Sequence, residues 1–218
     1  MKSVAGWLFR EHWLIGASIT RIMLGAWAVY YYLLHYSVRS LLWGPAGIWP
    51  YDRFIEHQQL FSVWQLGPSP VLFEALFHLG IAIAVAYTLG LWPRVMGVLH
   101  WVMTWSLGER NPFIGDGGDN IMRIVLLFLI LVNTGAYFSL KSPRPADATL
   151  SPTTSHQVAA VIHNFGVLLI LAQLSMLYMS TGLYKAMGEL WQNGTALYYI
   201  LRVEEFSWPA VATRCGCG

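Results

Sequence analysis

The densest gathering of polar side chains lies in residues 108–123, GERNPFIGDGGDNIMR. Gly115, Gly117 and Gly118 open backbone angles closed to other residues. Asp116, Asp119 and Asn120 stand just ahead of an apolar run that begins at Ile121. Asp119 or Asn120 can cap a helix there, and Arg123, one turn beyond Asp119, can pair with it. Capping alone does not explain why three glycines and two aspartates are gathered in one place. A walled polar pocket at a membrane edge would, with Asp116 and Arg123 as substrate contacts.

A second candidate is Lys185, which closes an apolar run in STGLYKAMGELW. A lysine at a helix end can snorkel its ammonium to the headgroups. Walled instead by Met179, Leu183, Tyr184, Met187 and Trp191, it would be desolvated. Desolvation favours the neutral amine, which can act as a base. Arg21 and Gln173 sit inside long apolar runs, where a polar group must face other helices or a cavity. Hydrogen bonding between spans is one use for them and substrate contact, together with Trp191, is the other. Glu74 and His78 are four residues apart on one helical face, a spacing that suits an intrahelical contact or an acid and base.

Seven histidines warrant a test for metal. His156 and His163 share a face, but the others show no compact ligand spacing, and no HExxH or Cys/His cluster occurs. No Walker loop, dinucleotide fingerprint or GxSxG elbow is present either, so the sequence specifies no metal and no nucleotide. Cys215 and Cys217, in the terminal CGCG, are too close for a relaxed disulfide and make only half a zinc site.

These residues must be positioned by a membrane-embedded frame. Of 218 residues, 56% are hydrophobic and 11% charged, against roughly a quarter charged in soluble domains. Eleven Trp and eleven Tyr suit a membrane–water interface. A net charge of +2 without a basic cluster argues against nucleic acid. Arg10, Glu11 and His12 interrupt the first apolar stretch, which argues against a removed signal peptide and suits a short interfacial helix.

Hydropathy predicts an all-α, polytopic helical bundle with about five spans: 13–34, 71–91, 95–107, 121–140 and 158–183. The third is short and would need extension toward Glu109 and Arg110 or a locally thinner bilayer. Residues 35–70, rich in Trp, Pro and Gly, read as an interfacial segment, and KSPRPADATLSPTTS as a solvated loop. No internal repeat interrupts what reads as one domain. Loop charge does not set the orientation. An odd number of spans puts segments 35–70, 108–120 and 184–206 on one face, where any site would lie.

RNPFIGDGGDNIMRIVLLFLIL, from Arg110 to Leu131, resembles the third-to-fourth-span region of the HTTM family, the horizontally transferred transmembrane domain. That family includes the vitamin K-dependent γ-glutamyl carboxylases. AQLSMLYMSTGLYKAMGELWQNGTALYYIL, from Ala172 to Leu201, resembles its Gln-containing span with the Gly-x-x-Lys and Trp-x-x-Gly-x-Ala segments that follow. RIMLGAWAVYYYLL and WGPAG fit more weakly. The resemblance implies that Lys185, in Gly182-Leu-Tyr-Lys185, is the base, with a quinone-type cofactor as its target. Where the carboxylases carry a helper histidine, this chain has GDGGDN, so Asp119 is the substitute the resemblance offers. The carboxylases also continue into a large soluble domain. Short bacterial members of the sporulation-delaying-protein B type are the better match. For them the family role is maturation of a secreted antimicrobial peptide at the bacterial cytoplasmic membrane. The resemblance thus implies a maturation factor or enzyme acting on a peptide or lipid-soluble substrate. A non-catalytic subunit that holds partner membrane helices or lipids is the competing function.

Overall fold

Three helices are long and apolar enough to cross a bilayer: Leu14–Leu34, Pro70–Leu89 and Thr154–Met187. The computed structural model describes residues 4–58, 60–140 and 154–203. It is helical throughout, with no strand among the described residues. In chain order the helices are α1 (Val4–Leu8), α2 (Leu14–Leu34), α3 (Arg39–Trp43), α4 (Tyr51–His57), α5 (Pro70–Leu89), α6 (Pro93–Arg110), α7 (Gly117–Leu129), α8 (Thr154–Met187), α9 (Glu189–Gln192) and α10 (Ala196–Ile200). At 1.5 Å per residue, α2 and α5 are each roughly 30 Å long, the thickness of the hydrocarbon core. α8, with 34 residues, is longer, at roughly 50 Å.

The chain divides into two compact units, residues 1–170 and residues 171–218. The first is built on α2 against α5. The face that α2 buries carries Ala17, Ser18, Arg21, Gly25, Ala28 and Tyr32, a helical repeat in which most side chains are small. Small residues let two backbones approach, as membrane helices require when lipid gives no hydrophobic drive to associate. A Cβ on Gly25 would overlap Thr88 of α5, and one on Gly80 of α5 would stand 2.6 Å from the Tyr32 hydroxyl. α5 begins with Ser69 accepting from the Leu72 N–H at 3.5 Å and Pro70 in the first turn. It ends at Gly90, left-handed at φ 73°, with the Gly90 and Leu91 amides donating back to Tyr87 and Ala86.

Two of the expected spans come out differently. α6 extends past the predicted 95–107 to Arg110, but it carries Arg94, Glu109 and Arg110 and is not among the three apolar helices. α7 covers only 13 residues, and the predicted span to residue 140 ends as a helix at Leu129. The remaining residues, 130–140, are turns because their backbone groups are taken by side chains from elsewhere. The Asn133 N–H donates to His163 Nδ1 at 2.9 Å and the Tyr137 N–H to Ser18 Oγ at 3.2 Å. The Thr134 and Phe138 carbonyls accept from Arg21. Non-helical backbone at membrane depth is tolerated where protein, not lipid, satisfies it. The count of five continuous helical spans is therefore not reproduced.

The N-terminal residues are fastened by a buried pair on α8. Asn164 Nδ2 donates to the Leu8 and Arg10 carbonyls, and its Oδ1 accepts from the His12 N–H. His163 Nε2 lies 2.6 Å from the His12 carbonyl, which makes Nε2 the protonated nitrogen while Nδ1 accepts from Asn133. A Cβ on Gly166 would meet Val132 Cγ2 at 2.7 Å, so glycine lets α8 seat closely on the end of α7.

In the second unit α8 ends at Met187, and α9 and α10 follow as short helices with Gly194, φ 72°, between them. Cys215 and Cys217, Glu204 to Phe206 and the proline-rich loop after Leu140 lie outside the described residues.

Candidate functional site

The polar segment singled out in the sequence does line a cavity. A small cleft, about 30 Å³ and open on one side, lies among α2, α3, α6 and α7 and is reached by Gly108, Asn111, Gly115, Asp119 and Arg123. Tyr31, Tyr32 and Ala28 of α2, Trp43 of α3 and Leu107 of α6 supply an aromatic and apolar wall. One carboxylate and one guanidinium thus face an otherwise mostly apolar space.

Asp119 is placed by the helix it begins. Asp116 is the N-cap of α7: its Oδ1 accepts from the Asp119 N–H at 3.0 Å. Asp119 Oδ2 accepts in return from the Asp116 N–H at 3.2 Å, a reciprocal capping box. Asp116 itself is exposed and is not part of the cavity wall. Asp116→Ala should remove the cap and cost α7 about 1 kcal/mol. Hydrogen exchange would show it as faster exchange at residues 117–120, with α2 and α5 unchanged. Equal exchange in wild type and variant would rule out a stabilising cap.

Arg123 does not pair with Asp119 as its spacing suggested. Its Nη1 lies 3.6 Å from Glu109 Oε1, and its guanidinium stands 5.9 Å from the Trp105 ring centroid. Both partners come from α6, because the Asp119 carboxylate is already turned toward its own helix start. Gly108 makes this possible: a Cβ there would overlap Nη2 and Cζ of Arg123. The Trp101 indole N–H donates to the Arg123 carbonyl at 3.1 Å and fixes the backbone below.

The loop over the cavity is held by the last residue of α6 and the one that follows it. Arg110, 2% exposed, donates from Nη1 to the Trp49 carbonyl at 2.8 Å and from Nη2 to the Gly44 carbonyl at 2.7 Å. Asn111 Nδ2 donates to the Leu42 carbonyl at 2.7 Å, and its Oδ1 accepts from the Phe113 N–H. Burial pushes the Arg110 guanidinium down to about 10, so it stays charged at neutral pH. Segments 35–70 and 108–120 therefore meet. Tyr31, Tyr32, Trp43 and Glu109 were not singled out from sequence; the Arg110-Asn111 pair at a helix end was the available signal for them.

The other candidates fall elsewhere. Arg21, wholly buried in α2, donates from Nη1 to Tyr87 and Thr88, from Nη2 to Phe138 and from Nε to Thr134, all backbone carbonyls at 2.5 to 3.1 Å. It does not line the cavity. Glu74 and His78 form a partly exposed cluster in which Arg39 Nε donates to Glu74 Oε2 at 2.9 Å and Tyr36 meets His78 Nε2 at 2.9 Å. In the second unit Lys185 is exposed, with Nζ 4.8 Å from the Trp191 ring centroid. Met179, Leu183, Tyr184 and Met187, expected as walls around it, are exposed, and Gln173 is half-buried.

No family model matches the chain, and no solved structure matches it. Two proteins of Bacillus subtilis (strain 168) do. The protein YitO is 28% identical over 201 residues, which is 91% of this chain and 61% of YitO. The sporulation-delaying protein SdpB is 28% identical over 138 residues, 63% of this chain and 41% of SdpB. The chain thus spans about three-fifths and two-fifths of these relatives' lengths. It is a helical membrane protein similar to SdpB.

Proposed function

We propose that the chain is a membrane factor in a sporulation-delaying-type peptide pathway, and that it takes part in maturation of the peptide. The similarity to SdpB supports the pathway, and the HTTM-like segments support a maturation role. The observation that carries the reading is the cavity of α2, α6 and α7. An extended peptide segment offers amide donors and carbonyl acceptors along an otherwise apolar contour. Asp119 accepts from the former, Arg123 donates to the latter, and the aromatic wall takes the side chains.

Lys185, in the second unit, enters this proposal separately and on its Gly-x-x-Lys resemblance alone, as an acid–base group whose target is the peptide or a quinone-type molecule. The test is made in the host that carries the gene, by mass spectrometry of secreted peptides. Deleting the gene should remove a mature peptide from the medium, and Arg123→Met should lower its yield at least tenfold with normal protein in the membrane. Lys185→Arg should abolish it, because arginine stays charged and cannot take up a proton. Full yield in the arginine variant would remove Lys185 from the chemistry and leave the scaffold for partner helices or lipids. An unchanged peptide spectrum on deletion would end the proposal.

A further inference from the structure

Between α4 and α5 the chain reads QQLFSVWQLGPSPVLF, residues 58–73, without a single charge. Leu60, Phe61, Leu66 and Val71 in this run are 52% to 78% exposed. The inward side of the loop is fixed on α6 and α5. Ser62 and Trp64 are buried; Ser62 Oγ donates to the Ser106 carbonyl and the Val63 N–H to Ser106 Oγ, both at 3.1 Å. The Trp64 ring stands 5.4 Å from the Phe73 ring. Gln58 Nε2 and Gln65 Nε2 both donate to the Leu60 carbonyl, at 2.6 and 3.5 Å, which folds Leu60 back beside Gln65 and Leu66. Leu60, Phe61 and Leu66 are thus left on the outward side.

The same contacts set the depth of the loop. Phe73 is about 5 Å along α5 from Pro70, and Ser106 about 6 Å from the end of α6 at Arg110. The loop therefore runs alongside the first turn of an apolar crossing helix, not beyond its end. Irregular backbone at such a depth needs protein partners for its polar groups. Here the Leu60 carbonyl has the two glutamines and the Val63 amide has Ser106. The Trp64 amide donates to Ser62 Oγ, the Gln65 amide to the Ser62 carbonyl, and the Gln65 carbonyl accepts from the Tyr51 hydroxyl at 2.8 Å. Side chains do for this main chain what water does for a solvated loop. The charges stop just before it, on α4, where the Arg53 and Glu56 side chains are 63% and 64% exposed.

We propose that residues 60–66 are inserted into the bilayer, with Leu60, Phe61 and Leu66 among the acyl chains near their glycerol ends and the charged face of α4 among the headgroups. An uncharged apolar loop beside a charged helix matches that layering of the membrane. The loop then gives α6, which is not apolar enough to cross alone, a lipid-facing cover over Ser106. The inference depends on neither the cleft nor the peptide pathway.

The experiment uses the full chain with Cys215→Ser and Cys217→Ser, reconstituted into phosphatidylcholine vesicles. Glu56→Cys, Phe61→Cys and Leu66→Cys are made singly, at exposed positions, and labelled with a fluorophore. Two quenchers are compared, a nitroxide fixed on the lipid acyl chain near the glycerol and iodide in the water. The nitroxide should quench the labels at 61 and 66 about threefold or more beyond the label at 56, and iodide should give the reverse order. Equal iodide quenching at all three positions would overturn the proposal, because the loop would then lie in water. Labels at 61 and 66 that neither quencher reaches would overturn it too, since protein would then cover the loop. A bare-thiol measurement removes any pull of the fluorophore. A charged thiol reagent should modify Glu56→Cys about tenfold or more faster than Phe61→Cys, and equal rates would count against insertion as decisively.

Discussion

Arg21→Met should leave almost no folded protein. Arg21 is wholly buried, and its guanidinium holds four backbone carbonyls that come from two separate elements. Two of them, on Tyr87 and Thr88, belong to the last turn of α5, where carbonyls run out of helical amides; Tyr87 accepts from the Gly90 N–H as well. The other two, on Thr134 and Phe138, belong to the turns that follow α7. Methionine fills much of the volume but takes the donor from the Thr88, Thr134 and Phe138 carbonyls, at about 1–3 kcal/mol each, and leaves Tyr87 with the Gly90 N–H alone. Even the low end of that range is a large part of the 5–15 kcal/mol that holds a typical domain together. Arg21→Lys should fall between, because an ammonium has three donors on one atom and cannot reach four dispersed acceptors. Yield of the monodisperse species in detergent and its Tm would measure both. A methionine variant with normal yield and a Tm within two degrees or so of wild type would mean that other groups hold these carbonyls.

Gly108→Ala should produce the opposite profile, a folded protein without function. The added Cβ overlaps the far end of a flexible side chain, not backbone. Arg123 can swing away by changing rotamer, so the fold should lose little. The guanidinium would leave the cavity and its Glu109 partner, which at 3.6 Å is beyond hydrogen-bond length. Yield of mature peptide should drop at least tenfold while the Tm moves by no more than a few degrees. Gly108→Ala and Arg123→Met should be non-additive, since both remove the same group. Additive losses would show that Gly108 acts through something other than Arg123.

The parts of the structure that were legible in the sequence are those governed by local composition. Runs of apolar residues located α2, α5 and α8 within a few positions. The glycine-rich segment announced a pocket, which Gly115 and Asp119 line, although Gly117, Gly118 and both aspartates also build the start of α7. Long-range hydrogen bonds decided what was not legible. The run from Ile121 to Leu140 is apolar enough to read as one span. What ends it at Leu129 is His163, thirty residues on from Asn133, together with Ser18 and Arg21 from α2. Arg123 likewise looks paired to Asp119 from spacing alone. Its real partner, Glu109, is on another helix, and a capping box, not a salt bridge, turns the Asp119 carboxylate. Propensity cannot see a partner that arrives from elsewhere in the chain.

The turns after α7 also bear on how the protein is made. Residues 130–140 cannot complete their hydrogen bonds alone, because the groups they need belong to α2, α5 and α8. α2 and α5 emerge from the ribosome earlier, but α8 emerges later. Until His163 arrives, the Asn133 amide has nothing to donate to in an apolar surrounding, and α7, at roughly 20 Å, is too short to rest across the bilayer alone. This stretch must therefore wait at the translocon or the bilayer surface and settle only when α8 is synthesised. Ribosome-bound chains that stop short of α8 should leave residues 130–140 open to protease, and extending the nascent chain until His163 has left the exit tunnel should close them.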